Sequence, residues 1–578
     1  MALTSTESLA RFGENAVRTA FERYRSLFQK ITRRARKRFE RREWNEGQYD
    51  AKERLGLYRR VVDQVERQLR EGLGTRCSDK AVWMDMKAMY TAAIIDFVDV
   101  ELAETFFNSV TRRLFDTLGV DPKIEFVDLD LRRANYGPGS PIHRTYLVDG
   151  NLEELVEQAM VDVALPVPFR NLPEDARQVA KIIERDWQML SRDEPLERIE
   201  IVSAVFYRGL SAYLVGRIRG GRSMTPLVIA LLHEDEGLEI DAVLLTEQAV
   251  SIVFSYTRSY FQVDVARPND VIRFLNSIIP RKPLAELYLS LGYNKHGKTE
   301  MYRDLVGHLG RSLDSFDHTA GAIGMVMIVF TLPSFDYVFK VIRDDFAPPK
   351  TSTRDDVINS YQLVFDHDRA GRLVEAQEFE HLTFDAWRFT DELLKELSEE
   401  AAETVTVEGK RVHIKHLYIE RRVRPLDLFL RENDGDRERD AILDYGQSIR
   451  DLARSNIFPG DILLKNFGVT RHGRVIFYDY DELCLVTDCN FRDLPTARSG
   501  EQEMANEPWY FVGTRDIFPE EFINFLGLNK VQREIFTTKH AEVLTPGFWR
   551  GKQKQHLDKE VLEVFPYGDS ARLSARTR

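Results

Sequence analysis

Cysteine is scarce in this chain: three residues among 578, Cys77, Cys484 and Cys489, set at no metal-ligand spacing. So sparse a set implies a reduced, cytosolic compartment. None of the three has Arg six positions on, which excludes a cysteine-dependent phosphatase loop of the Cys-x5-Arg kind. Long hydrophobic runs are missing as well. No unbroken apolar stretch approaches bilayer-spanning length, and the opening "MALTSTESLARFGENAV" lacks the basic-then-apolar order of a signal peptide, so no membrane association is expected. Positive charge is in deficit. Lys plus Arg number 81 against 93 Asp plus Glu, a net charge of −12, which argues against nucleic acid as a partner. The basic run "ITRRARKRFERREW" interleaves Glu, Phe and Ile at helical spacing and reads as a solvated amphipathic helix. The His residues are scattered, and internal repeats and low-complexity linkers are not found.

At 578 residues the chain exceeds what one hydrophobic core holds, so two or more domains are expected. Its 43% hydrophobic and 30% charged residues are the balance of a soluble globular enzyme. From Thr4 to about Leu118 the pattern is helical throughout, as in "LGLYRRVVDQVERQLREGL". A mixed part follows, where "ERIEIVSAVFYRGLSAYLVGRIRGG" and "TPLVIALLHEDEGLEIDAVLL" alternate β-branched and aromatic residues between Gly and Asp turns. Helices return through "ELYLSLGYNKHGKTEMYRDLVGHL", and a boundary is expected near Ser312. The tail after Phe548 is polar and basic, a composition prone to fray.

The second half carries the chemistry. In "FPGDILLKNFGVTRHGRVIFYDYDEL", Asp461 stands five residues before Asn466, and Asp479 thirteen after it. In phosphoryl transfer by kinases, one Asp positions the acceptor hydroxyl, an Asn five residues on holds one metal, and an Asp after the next hairpin holds another. "FGVT" and "VIFYDY" are short strands joined by a turn containing Gly473, and Ile442, Tyr445, Ile449 and Leu452 mark a helix from about Asp440 to Arg454 that delivers the loop. Upstream, Gly321 and Gly324 precede one strand and Lys340 lies on the next, the order of a phosphate-cradling loop and its lysine. A helical stretch is expected through "SYQLVFDHDRAGRLVEAQEFEHL", with Glu375 and Glu378 as candidate partners of Lys340. The strand "RVHIKHLYIERRVRPLDLFL" turns helical at Pro425 and reads as a hinge beside an adenine pocket, with Glu420 at that hinge. Together these elements predict an α+β protein, with a mainly helical domain over residues 1–312 that includes a mixed α/β part. A bilobal protein-kinase-like catalytic domain is expected over residues 313–578.

The strings "GMVMIVFTLPSFDYVFKVI", "HLYIERR", "NIFPGDILLKNFGVTRHGR" and "FYDYDE" resemble the isocitrate dehydrogenase kinase/phosphatase family. The resemblance extends over nearly the whole length, including "AETFFNSVTRRLFD", "KHGKTEMYRD" and "EPWYFVGTRDIFPEEF". It implies an ATP-dependent protein serine kinase that inactivates isocitrate dehydrogenase and removes the phosphate again at the same site, dividing flux between the citric acid cycle and the glyoxylate bypass. It makes the helical front a regulatory domain. Carried over residue by residue, it assigns the nucleotide loop to Thr319, Ala320, Gly321, Ala322, Ile323, Gly324 and Met325, the ATP-binding lysine to Lys340 and the catalytic aspartate to Asp461. Metal ligands for Mg2+, or Mn2+, fall on Asn466, Asp479 and Asp481. An AMP effector site is implied at Arg113, His296, Thr299 and Tyr302, and a loop grasping the substrate dimer between residues 501 and 539. One departure concerns the phosphatase direction: where the family has Asp-Thr in "ADTQEF", this chain has Glu375 and Ala376 in "VEAQEF". Glu375 thus takes the place of a catalytic Asp with one extra methylene, which puts the phosphatase arm in question. The oligomeric state stays open.

Other classes share parts of the pattern. A small-molecule phosphotransferase of the aminoglycoside-kinase type has the same Asp-x4-Asn and strand-end Asp, although the long helical front favours a protein substrate. A haloacid-dehalogenase-type phosphatase also ends a strand in Asp-x-Asp, but expects Thr or Val where Leu483 stands. A non-catalytic scaffold would not need Lys340, Asp461, Asn466 and Asp479 together.

Overall fold

In this computed structural model the described residues are 5–115, 119–127, 142–190, 194–256, 260–321, 323–348, 350, 352–367, 369–495 and 510–573. The chain divides into two compact units, Met1–Arg311 with Phe565–Arg578, and Ser312–Val564.

The first unit opens on helices α1 (Thr6–Arg41), α2 (Trp44–Leu73), α3 (Lys80–Ala93) and α4 (Val100–Leu114). α1 is capped by Ser5, whose side chain accepts from Ser8 N–H, and buries Leu9, Val17, Phe21, Tyr24, Phe28 and Ile31 along one stripe. That spacing of three, four and seven is what a helix needs to face a single core. Its basic run is paired within the unit: Arg34 meets Asp50 and Glu53 at 2.8 and 2.7 Å, and Arg38 meets Asp50 at 2.8 Å. The mixed part comprises β1 (His143–Leu147), α5 (Leu152–Asp162), α6 (Leu172–Leu190), β2 (Arg198–Val202), β3 (Phe206–Arg208), β4 (Ser211–Gly220), β5 (Ser223–Glu234) and β6 (Gly237–Leu244). These strands form one antiparallel sheet in the order β1-β2-β4-β5-β6, with β3 beside β4. Alternate residues of β4 enter different cores: Tyr213 and Val215 join the α1–α4 side, Ala212 and Leu214 the α5–α6 side. A sheet covered on both faces explains strands that read as continuous apolar runs. Helices α7 (Glu247–Val253), α8 (Pro268–Ile278), α9 (Leu284–Ser290) and α10 (Asn294–Arg311) complete the unit.

The second unit begins with β7 (Asp317–His318), β8 (Met327–Thr331), β9 (Tyr337–Ile342), α11 (Arg354–His367), β10 (Ala376–Asp385), α12 (Asp391–Glu400), β11 (Val405–Glu408) and β12 (Arg411–Arg421). Its sheet runs β10-β12-β9-β8-β7, with β11 on β12. The helical stretch expected through Leu382 stops at His367, and Ala376 onward is strand β10. Gly371, at a φ of 57°, makes the break that a helix cannot carry. Then follow β13 (Arg424–Pro425), α13 (Leu426–Glu432), α14 (Gly435–Arg454), β14 (Ile457–Phe458), β15 (Phe467–Val469), β16 (Val475–Phe477), β17 (Cys484–Leu485), β18 (Asn490–Phe491) and β19 (Asp516–Ile517), before helices Lys530–His540 and Pro546–Leu557. α14 starts five residues earlier than the apolar spacing marks, and its Ile442, Tyr445, Ile449 and Leu452 are buried as expected. The tail differs from expectation. Tyr567 Oη donates to Asp241 Oδ2 and Arg572 Nε to Asp241 Oδ1, each at 2.7 Å, so the chain end packs onto β6 of the first unit. Among the described residues no helix is long and apolar enough to cross a membrane.

Candidate active site

Strand register places the lysine. β9 and β12 pair antiparallel with Lys340 opposite Tyr418 and Val338 opposite Glu420, which makes Lys340 and Glu420 diagonal neighbours on one face. Their side chains meet at 2.8 Å, Nζ to Oε2, both buried. Tyr361 of α11 donates its hydroxyl to Glu420 Oε1 at 2.9 Å and stacks on Tyr418 with ring centroids 3.7 Å apart. Burial drives the Glu420 carboxyl upward; Lys340 and the Tyr361 hydroxyl oppose it. The carboxylate partner of Lys340 is therefore Glu420 and neither Glu375 nor Glu378. Glu378 lies on β10 with β12 in between, about 10 Å from β9 at two strand spacings, and pairs with His416 at 2.8 Å. Glu375 accepts from Gln377 Nε2 at 2.5 Å. Glu420 follows the expected strand toward the hinge, but its side chain, 1% exposed, turns inward to the lysine.

The expected nucleotide loop lies between β7 and β8, with Ala322 outside the described residues. Gly324 tolerates no side chain, since a Cβ would stand 2.5 Å from Met327 O. The loop base is tied by Arg343, whose Nε donates to Gly324 O at 3.0 Å and whose backbone N–H donates to Val326 O at 2.9 Å. The same guanidinium pairs with Glu396 at 2.6 Å and with Glu400, both on α12. Nothing in the sequence singled out Arg343 or Tyr361; both act through partners brought from elsewhere in the chain.

Backbone contacts join the remaining groups. Lys340 Nζ donates to Tyr478 O at 2.9 Å, directly beside Asp479. Tyr478 N–H donates to Asn466 O at 3.1 Å, and Asn466 Nδ2 donates to Asp461 O at 3.4 Å. Lys340, Asp461, Asn466 and Asp479 thus form one contiguous group. Asp461 Oδ1 accepts from Leu463 N–H at 3.1 Å, while burial raises its carboxyl, opposed by that hydrogen bond. Gly460, at a φ of 76°, lets the loop approach the Asp481 turn; a Cβ there would stand 2.4 Å from Glu482 O.

The donor set fits a hard cation. Burial and the charge of Asp479 push the Asp481 carboxyl up to about 7, with Lys350 and Lys340 opposing the rise only in part. Among the described residues no group of three or more His, Cys, Asp or Glu forms a closed metal cage. One Asn with one or two Asp is the sparse set that suits Mg2+, which takes its other ligands from water and phosphate oxygens. Lys350 also reaches this turn, 2.7 Å from Glu482, a contact the sequence did not suggest.

The segment that leads to Glu375 runs beside the one that leads to Asp479. Leu373 and Phe477 form a parallel bridge, and two residues further along each chain are Glu375 and Asp479. Ala376, 1% exposed, lies opposite Glu420 in the β10–β12 ladder. The expected effector residues fall on α4 and α10. Arg113 pairs with Asp63 at 3.3 Å, and Thr299 donates to Lys295 O at 3.1 Å. Tyr302 is partly buried, whereas His296 is 3% exposed with its Nδ1 2.8 Å from Thr105 Oγ1. His296 is thus enclosed rather than presented to solvent. Of the expected substrate loop, residues 501–509 lie outside those described. Its described part exposes Phe511, Phe525 and Val531, at 83%, 60% and 64%.

Comparison with known proteins is consistent across the chain. Residues 14–313 match the regulatory-domain model, and residues 314–569 the kinase-domain model, of isocitrate dehydrogenase kinase/phosphatase (AceK). Proteins of that name from Anaeromyxobacter sp. (strain Fw109-5) and Anaeromyxobacter dehalogenans (strain 2CP-C) are each 48% identical, over 99% and 98% of both chains respectively. Another from Xanthomonas axonopodis pv. citri is 44% identical over 97% of both. With both domain models matched in order and relatives aligned end to end, the chain belongs to the isocitrate dehydrogenase kinase/phosphatase family.

Proposed function

We propose that this protein phosphorylates a serine of isocitrate dehydrogenase with ATP and dephosphorylates it at the same site, setting flux between the citric acid cycle and the glyoxylate bypass. The observation that carries the reading is the continuous linkage from the Lys340–Glu420 pair through Tyr478 to Asp479, Asn466 and Asp461. In it, Lys340 is held beside Glu420 and presents Nζ to the phosphates of ATP. The loop 319–325, fixed at its base by Arg343, lets backbone N–H groups approach the same phosphates. Asp461, with Oδ1 held by Leu463, orients the serine hydroxyl through Oδ2 and accepts its proton as the oxygen attacks the γ-phosphorus. Mg2+, or Mn2+, held by Asn466, Asp479 and Asp481, would neutralise charge on the phosphate oxygens. For the reverse direction, Glu375, on the segment that runs beside Val475–Phe477, would orient water.

The exposed Phe511, Phe525 and Val531 support docking of a protein surface. An AMP effector site at Arg113, His296, Thr299 and Tyr302 belongs to the proposal on family grounds; the enclosed His296 would shape it from behind. A cytoplasmic location follows from the substrate. The test is transfer of labelled phosphate from ATP to purified isocitrate dehydrogenase with Mg2+, with and without AMP. A labelled serine and loss of dehydrogenase activity are expected. No transfer to that protein, with transfer to an aminoglycoside-like small molecule instead, would overturn the reading.

A further inference from the structure

Two of the three cysteines meet. Cys484 Sγ and Cys489 Sγ lie 3.6 Å apart, bridged by the short turn Val486–Asp488. Cys484 is partly exposed on β17; Cys489, behind it, is 8% exposed, with its Sγ also 3.4 Å from Leu485 O. This pair sits between two parts of the active site. Across the β14–β17 ladder Cys484 is opposite Phe458, three residues before Asp461, and it follows Asp481 by three. Beyond Cys489 the chain enters β18, which pairs with β19, while Asn490 and Arg492 hold Asp516 at 2.6 and 2.5 Å. The turn therefore connects the Asp479 and Asp481 segment to the base of the docking segment proposed above.

We propose that Cys484 and Cys489 are a redox-modification site, forming a reversible disulfide under a peroxide oxidant that slows phosphoryl transfer. In the first step Cys484 sulfur attacks one peroxide oxygen, the O–O bond breaks, and the other oxygen leaves as water with the thiol proton. Cys489 sulfur then attacks the resulting sulfenic acid; the S–S bond forms and the sulfenic oxygen leaves as a second water. Two thiols are oxidised and one hydrogen peroxide is reduced to two waters. The exposure order fits Cys484 as the attacking group and Cys489 as the resolving one. Cys484 is further favoured because the hydrogen bond from Cys489 outweighs burial and holds its thiol below the ordinary range. A dithiol reductant reverses the reaction by exchange.

The consequence for activity rests on the kinase reading given above. A disulfide requires about 2.05 Å between sulfurs, so the two Sγ atoms, 3.6 Å apart, close by about 1.5 Å. Gly460 and Glu482 pack without room for a methyl group, so any shift of the paired Phe458 and Cys484 that accompanies closure bears on the loops carrying Asp461 and Asp481. A displacement of about 1 Å at such groups costs up to about a hundredfold in rate, and a fall of at least about tenfold is expected here. The experiment treats the full-length protein with hydrogen peroxide and counts free thiols, maps peptides under non-reducing conditions, and measures phosphate transfer before and after dithiothreitol. Titratable thiols are expected to fall from 3 to one. A Cys484–Cys489 peptide pair should appear lacking two hydrogen atoms, with transfer lost in parallel and restored by reductant. Cys484→Ser and Cys489→Val are expected to keep the basal rate within about twofold and to lose the peroxide response. If the thiol count stays unchanged, if the disulfide forms without a change in rate, or if either variant is still reversibly inactivated, the proposal is wrong. Thiol count and peptide map are independent of whether isocitrate dehydrogenase is the acceptor.

Discussion

Asp461 combines two properties that a positioning carboxylate needs. One oxygen is locked by Leu463 N–H, and partial burial raises the carboxyl toward the range where proton acceptance is effective. Replacing Asp461 with Ala should lower transfer about 10²- to 10⁴-fold while leaving ATP affinity nearly unchanged, because this group acts on the hydroxyl and not on the nucleotide. Parallel kinetic and nucleotide titrations check this, and undiminished turnover would remove Asp461 from the mechanism. Glu375 and Ala376 stand where the family resemblance implies Asp and Thr. Glu375 reaches one methylene further than Asp, and displacement of a water-orienting group by about 1 Å can cost about a hundredfold. Phosphorylation should be brisk and phosphate release slow, and Glu375→Asp with Ala376→Thr should raise release about tenfold or more. Because Ala376 is enclosed opposite Glu420, Glu375→Asp alone must be measured beside the double variant, since two extra atoms there crowd the lysine pair. A fast wild-type release, or no gain in either variant, would show that this position does not limit the reaction.

Among elements, the β15–β16 hairpin is held to α14 by a buried charge network. Arg372 donates from Nε to Asp451 at 2.8 Å and pairs Nη1 and Nη2 with Asp444 at 2.7 and 2.9 Å; Asp444 also accepts from Val475 N–H at 2.6 Å. Burial opposes charge on Asp444, yet Arg372 outweighs it and holds the carboxyl below its ordinary value. The sign follows. A depressed folded pKa binds fewer protons than the unfolded chain's Asp, near about 3.9, so stabilisation is complete above that value and is lost as pH falls through the folded one. Arg372→Met should destabilise the second unit by about 3–5 kcal/mol at neutral pH, with the deficit shrinking in acid as Asp444 protonates. Denaturant titrations at neutral and acidic pH check it, and a deficit independent of pH would count against the network. Such networks bear on what the sequence reveals. The Asp461–Asn466–Asp479 spacing was legible because one loop and one hairpin, local in sequence, set it. Glu420 as the partner of Lys340 was not, since it depends on which strand lies beside β9, and that pairing spans about eighty residues. Gly371 hid strand β10 inside an apparently helical run for a similar reason: β10 forms only when β12 is there to receive it.

At the scale of the whole molecule, the chain end belongs with its beginning. Composition alone marks residues after Phe548 as prone to fray, yet Phe565–Arg578 joins the first unit across more than three hundred residues of sequence. Asp241 on β6 gives the reason: 4% exposed, it accepts from both Tyr567 and Arg572 at 2.7 Å, and among the described residues no nearer segment supplies those donors. Ala242 and Arg572 form a single backbone bridge at the same place. Truncation after Val564 would leave that carboxylate buried without its cation and its phenol, and removing one partner of a buried pair costs about 3–5 kcal/mol. The expected result is faster amide exchange in β5 and β6 and a lower melting transition for the first unit, while α14 and the Asp461 loop exchange as before. Asp241→Asn in the full-length chain separates the causes, because it removes the charge and keeps the tail. Its loss should be smaller than that of truncation, as the amide still accepts a hydrogen bond. If the truncated protein shows unchanged exchange in β6, the tail is not what satisfies Asp241.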